Sequence, residues 1–205
     1  MKTLAIDCST EACSIALFDG KALVGHDHRI LGRGHAEQLV PMIAALPAKG
    51  RANCILVALG PGSFTGIRIG IATARALGLA WKAEVLGYPT LALVAAIAQE
   101  GAGAQPIDVA MNGGHGEWFV QPFDAAGLPV AEVQSLTPEA AAGFARAALV
   151  VGTQAEALAQ LRGTGRGITR HPDARHALRL SGKLLTEQVQ PIYGRAPDAR
   201  PALAR

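Results

Sequence analysis

The stretch ALGPGSFTGIRIGIATARALG, residues 58–78, sets a glycine-dense loop between an apolar strand and a long helical run, with no acidic side chain in it. Glycines at such a junction commonly let backbone N–H groups approach a phosphate. Counting residues removes the familiar versions of that idea. A P-loop ends in lysine and a hydroxyl residue, yet five places after Gly60 stands Thr65, and the next lysine is Lys82. A dinucleotide fingerprint needs its third glycine at position 65; that residue is Thr65, and glycine arrives one place late, at Gly66. A nucleophile elbow centres on serine, whereas GSFTG centres on Phe64. What survives is a helix start whose amides, with Ser63 and Thr65, either cap the helix or touch an anion.

Past the loop, Gly66, Gly70, Ala74 and Gly78 recur every four residues and form a ridge almost without side chains. Glycine inside a helix costs roughly 1 kcal/mol relative to alanine, so the ridge implies close approach of another backbone along one of the helix's packing rows. That backbone belongs either to this chain's own sheet or to a second subunit, and the sequence leaves both open.

Working outward, residues 3–8, 12–18 and 21–30 read as three meandering strands, with Asp19-Gly20 as a hairpin turn. A helical run follows at 35–46, interrupted by Pro41, and then a strand at 54–59, a helix at 67–80, a strand at 84–87 and a helix at 89–99. The glycine-rich EGAGAQ at 100–105 reads as a boundary. Beyond it come a hairpin (PIDVAMN and GEWFVQPF), a strand at 129–136, a helix capped by Thr137-Pro138, a strand at 148–151, and helices at 153–161 and 173–188. Hairpins followed by alternating helices and strands, once in full and once shortened, predict an α/β chain of two related subdomains, residues 1–102 and 103–205.

Half of the 205 residues are hydrophobic and 17% charged, which marks a folded chain rather than a disordered one. No apolar run approaches the roughly 20 residues that cross a bilayer, and Asp7, Ser9, Thr10 and Glu11 break up any signal-peptide core. The expected location is the cytoplasm. Cys8, Cys13 and Cys54 form no CxxC pair and read as small core residues. The net charge of +3 is uneven: residues 1–161 carry 10 Lys/Arg against 13 Asp/Glu, and residues 162–205 carry 9 against 3. Arg175, Arg179 and Lys183, four apart, would line one face of the last helix. They read as a solvated face or as a candidate contact to tRNA phosphates.

The loop GPGSFTGIRIGIATARALGLA, with LAIDCSTEACSIALFDG before it, HAEQLVPMI between them, and HGEWF and PIYGR further on, closely resembles the bacterial TsaB (YeaZ) family nearly end to end. The resemblance implies two actin/Hsp70-like (ASKHA, RNase H-like) subdomains, mixed sheets flanked by helices, with the second reduced. It also implies a role in placing threonylcarbamoyl on the adenosine next to the anticodon of tRNA. There the chain would be an activating partner of the catalytic subunit TsaD, joined by the ATPase TsaE, with tRNA reached through the complex. When TsaD is absent, homodimer and monomer are both open. ATP, magnesium and a TsaD-bound metal belong to the complex, and this chain alone is expected to hold no cofactor.

Within that fold the catalytic parts look degenerate. Active ASKHA proteins carry acid-x-glycine-x-hydroxyl on the first hairpin, whereas Asp7-Cys8-Ser9-Thr10 has serine in the glycine position. The histidine pair that holds metal in TsaD proteins has no counterpart in residues 87–96. Asp7, Ser9, Thr10, Gly60, Gly62, Ser63 and Thr65 therefore mark a degenerate nucleotide site. His35, Leu39 and Met42 share a helix face and, with Gly66, Gly70, Ala74 and Gly78, form the expected partner interface; alternatively they cover the chain's own sheet. Family members often read DARMGEVY where this chain has NGGHGEWF at 112–119, so Asn112 and Gly113-Gly114 lack an acid and an arginine. The competing reading is an enzyme in its own right, an ATP-dependent ASKHA transferase or a glycoprotease-like protein. Asp7, Thr10 and the loop amides speak for that reading.

Overall fold

The first strand, β1 (Lys2–Asp7), is buried from Thr3 to Asp7, which requires a layer on each side of its sheet. The computed structural model describes residues 1–195 and supplies both layers. β1 pairs antiparallel with β2 (Ala12–Asp19), and β2 with β3 (Ala22–Ile30). The chain then forms α1 (His35–Ala45), β4 (Cys54–Ala58), α2 (Phe64–Trp81) and β5 (Glu84–Tyr88). β4 lies parallel to β1, and β5 parallel to β4, giving the sheet order β3-β2-β1-β4-β5. α1 runs through Pro41, which sits on the exposed side of the helix, where the carbonyl it leaves unpaired can meet water.

After α3 (Thr90–Ala102) the same plan repeats. β6 (Ile107–Gly114), β7 (Glu117–Phe123) and β8 (Gln134–Leu136) form an antiparallel meander. Then α4 (Pro138–Phe144), β9 (Leu149–Val151), α5 (Ala155–Arg162) and β10 (Arg166–Ile168) follow, with β9 and β10 parallel to β6. The second sheet runs β10-β9-β6-β7-β8, the order of the first with β8, β9 and β10 cut to three residues each. The last ten residues of the expected second subdomain, 196–205, lie outside the described residues.

α1 and α2 cover one face of the first sheet through Leu39, Met42, Ile43, Ile67, Ile71 and Ala74, against Leu4, Ile6, Ile15 and Val57. α3 lies between the sheets: Leu93 packs with Ala5, Ala16 and Leu56, while Leu91 and Val94 pack with Ile107 and Val109. No helix among the described residues is long and apolar enough to cross a membrane.

Two expectations are corrected and one strand is added. The strand foreseen at 129–136 is ordered as strand only from Gln134, because Pro129 can give no ladder N–H and Leu128 closes a turn on Asp124. β10 went unread, since RGI carries no alternation. The helix foreseen at 173–188 is two 3-10 turns, Ala174–Arg179 and Gly182–Leu184. Ser181 starts the second turn by accepting from Lys183 N–H, a local bond that competes with helix continuation. From there the chain is extended along the first sheet. Thr186 and Gly87 exchange backbone bonds, Arg75 donates to the Val189 carbonyl (2.6 Å), and Ile192 N–H donates to the Leu59 carbonyl (2.7 Å).

Candidate functional site

The glycine loop follows β4 and meets the β1–β2 turn backbone to backbone. Ser63 N–H donates to the Ser9 carbonyl (2.7 Å), and the Ser63 hydroxyl accepts from Gly66 N–H to cap α2. A Cβ on Gly62 would overlap the Ser9 carbonyl oxygen, and one on Gly66 would overlap that of Cys8. The first turn of α2 thus lies against this chain's own hairpin. The ridge continues that way: Gly78 stands against Val85, and Gly70 lies 3.6 Å (from its notional Cβ) from the Val57 side chain. Gly66, Gly70, Ala74 and Gly78 are all buried, as are His35, Leu39 and Met42 of α1. His35 Nε2 sits 3.3 Å from the Ala12 carbonyl. These seven residues were read either as a partner interface or as cover for the chain's own sheet. They lie against the chain's own sheet and hairpin, the second of the two readings; the apolar periodicity that marks a binding face marks a core face equally well.

Under the turn lies Asp7, fully buried. One carboxylate oxygen accepts from Ser9 N–H (2.9 Å) and Ser9 Oγ (2.6 Å), and the Tyr88 hydroxyl stands 3.2 Å from the other and 3.0 Å from the Ile6 carbonyl. Burial pushes Asp7 up to about 6, against the hydrogen bonds from Ser9 and Tyr88, which pull it down. A magnesium ion needs a carboxylate that it can reach with its waters in place; Asp7 is sealed beneath Ser9 and Tyr88 and does not fit that use.

Above the turn, a cavity of about 310 Å³ opens between the two halves. Ser9, Thr10, Gly62 and Ser63 form one wall, and Asn112, His115, Thr153 and Arg195 belong to the other. Of the expected nucleotide set, Ser9, Thr10, Gly62 and Ser63 therefore come together. Asp7 lies below them, Gly60 turns toward Ile67 and the Ile192 carbonyl, and Thr65 is exposed on α2. The glycine-rich turn at 112–114 has a local cause. Asn112 Oδ1 accepts from Gly114 N–H, Asn112 N–H donates to Thr153 Oγ1, and a Cβ on Gly113 would come within 2.9 Å of the Glu117 carbonyl oxygen. Among the described residues the cavity shows no lysine, and the fixed charges on its lining are Glu11 and Arg195.

Sequence reasoning missed a cluster at the mouth of this cavity. The Arg68 guanidinium lies 3.6 Å over the Phe64 ring and donates to the Tyr193 hydroxyl, and the two rings stack at 5.3 Å. Phe64 and Arg68 are four apart on α2, the one signal available; Tyr193 is 125 residues from Arg68. All three cysteines are buried and free, with Cys8 Sγ 3.5 Å from Cys13 Sγ. Arg175 clamps Asp173 and Arg179 pairs with Glu100, so the expected stripe with Lys183 does not exist as one helical face.

Residues 28–183 match the family described as "TsaD: tRNA N6-adenosine threonylcarbamoyltransferase". The tRNA threonylcarbamoyladenosine biosynthesis protein TsaB of Escherichia coli is 36% identical over 124 residues, 58% of this chain and 53% of its own length. The protein of the same name from Haemophilus influenzae is 37% identical over 98 residues, 45% of this chain and 40% of its own. The matched stretch thus spans about half the length of these curated relatives. The structure of YeaZ from Pseudomonas aeruginosa superposes with a TM-score of 0.78 at 28% identity, covering 94% of this chain and 99% of that one. The chain belongs to this family as a TsaB (YeaZ) member, and its two sheets are those of an ASKHA-like α/β fold.

Proposed function

We propose that the chain is a TsaB-type subunit in the synthesis of threonylcarbamoyladenosine on tRNA, acting by holding a TsaD-type catalytic subunit and not by chemistry of its own. The observation that carries this reading is the glycine loop, whose close-approach positions are filled by the chain's own Ser9 and Cys8 carbonyls. A sealed Asp7 and a cavity without lysine support it further. ATP, magnesium and the metal are then held by the partners, a TsaE-like ATPase among them, and tRNA is reached through the complex.

The partner face is the outward side of the two helices. Ala36, Val40, Pro41 and Ala44 of α1 and Ala72, Ala76, Leu79 and Ala80 of α2 are exposed, with Val40 53% and Leu79 85% accessible. The buried ridge sets this face at a fixed height above the sheet, so the glycines shape the interface from behind. A second copy of the chain would use the same face when the TsaD-type subunit is missing. Co-purification with a TsaD-type subunit, with and without tRNA and ATP, tests the pairing. Calorimetry of the isolated chain with ATP and magnesium tests the absence of chemistry: millimolar or no binding is expected, and micromolar binding would overturn it.

A further inference from the structure

On the far side of the Thr10-Glu11 turn lies a second cavity, of about 300 Å³, lined by His28 of β3, Arg170 and His171 after β10, and Asp173, Arg175 and His176 of the 3-10 turn. Two segments far apart in sequence, β3 and residues 170–176, bring three imidazoles and two guanidiniums to one space. The carboxylates near it are already engaged. Asp173 is gripped by the Arg175 fork, Nη2 at 2.6 Å and Nε at 2.9 Å from Oδ2. Burial raises this carboxyl, but the bonds from the Arg175 side chain and backbone outweigh it and hold Asp173 below its usual range. Glu100 is held by His176 Nδ1 (2.7 Å) and by Arg179, and Glu11 stands 3.8 Å from His171 Nδ1.

Positive groups remain. The Arg170 guanidinium donates to the Thr169 carbonyl (2.9 Å) and meets no carboxylate among the described residues. His28 is half-buried on the opposite wall, and the Nδ1 of His171 is buried without a hydrogen bond, its nearest carboxylate oxygen being that of Glu11 at 3.8 Å. His171 and His176 each turn Nδ1 toward a glutamate, which leaves Nε2 as the second donor of each ring when it is protonated there. The three imidazoles are not arranged as a metal site, since no group of His, Cys, Asp and Glu among the described residues could hold one.

We propose that this cavity holds a phosphate group, with Arg170 as its charged fork and His28, His171 and His176 as further donors. Guanidinium is the side chain best shaped for a tetrahedral oxyanion, and its charge-assisted bonds are strong. The phosphate comes from a small phosphate ester or free phosphate, or from an RNA backbone; the chemistry is shared.

The test follows the imidazole resonances of the full chain by NMR during titration with inorganic phosphate, against sodium chloride at equal ionic strength. The proposal expects saturable shifts of His28, His171 and His176, with His35 and His115 unmoved. Arg170→Ala, at an exposed position, should weaken phosphate about tenfold or more, the effect of one charged hydrogen bond; His28→Gln should weaken it also. A short oligoribonucleotide without terminal phosphates separates the sources. Displacement of phosphate from the same rings identifies RNA, and no displacement identifies a small phosphate compound. Shifts no larger than those with chloride, or full affinity in both variants, would overturn the proposal.

Discussion

At the scale of single residues, Asp7 carries the sharpest consequence. Its carboxyl is raised by burial to about 6, from 3.8, so the folded chain binds this proton more tightly than the unfolded one. Stability must therefore fall as pH rises from about 4 to about 6, by an order of 3 kcal/mol, and stay reduced above that. Asp7→Asn keeps an oxygen for the two Ser9 donors and has no charge to bury. It should raise the urea midpoint at pH 7.5 and flatten that slope; a midpoint lowered at pH 7.5 would contradict this. Two glycines of the ridge should behave oppositely. Gly66→Ala drives a methyl into the Cys8 carbonyl and should cost on the order of 3 kcal/mol or more. Gly70→Ala meets Val57 at 3.6 Å, an ordinary contact, and should be neutral or stabilising by up to about 1 kcal/mol. Equal melting temperatures for the two variants would refute the assignment of what each glycine faces.

At the scale of elements, the first half was legible because its signals are local. The meander around Asp19-Gly20, the apolar CILVAL and the Ser63 cap each announce an element within a few residues. The ridge was visible as a four-residue period, but a period does not say what lies against it; only the fold placed Ser9, Cys8 and Val85 there. Likewise the cavity between Ser9, Asn112 and Arg195 joins residues that no window of sequence could connect. The end of the chain was misread for a physical reason. Its basic residues fit a helical stripe by spacing, yet Arg175 and Arg179 answer carboxylates that the spacing does not reveal. Arg175→Ala should therefore lower stability by roughly 1–3 kcal/mol, as it takes the guanidinium from the largely buried Asp173 and leaves it only the residue-175 N–H and Ser14 Oγ, whereas exposed Lys183→Ala should not. Denaturant midpoints of the two variants decide the point, and equal midpoints would contradict it.

At the scale of the whole molecule, two sheets of one topology have diverged in use. The first carries the outward apolar side of α1 and α2; the second, with strands of three residues at β8, β9 and β10, closes the cavity and anchors the returning chain. The surplus of positive charge after residue 161 is partly met inside the fold, by Asp108, Asp173, Glu100 and Glu117. Less of it faces a polyanion than the composition suggests. A molecule built this way should depend on its outer helices and tolerate loss of its cavity charges. The most direct measurement is formation of threonylcarbamoyladenosine on tRNA by a reconstituted system containing a TsaD-type subunit and its partners, with this chain supplied as variants. Leu79→Glu with Val40→Glu should abolish the product while the chain remains folded, and Glu11→Ala with Arg195→Ala should leave it within about twofold, inside the spread of ordinary surface substitutions. Loss of product with the cavity pair, and normal product with the helix pair, would contradict the account.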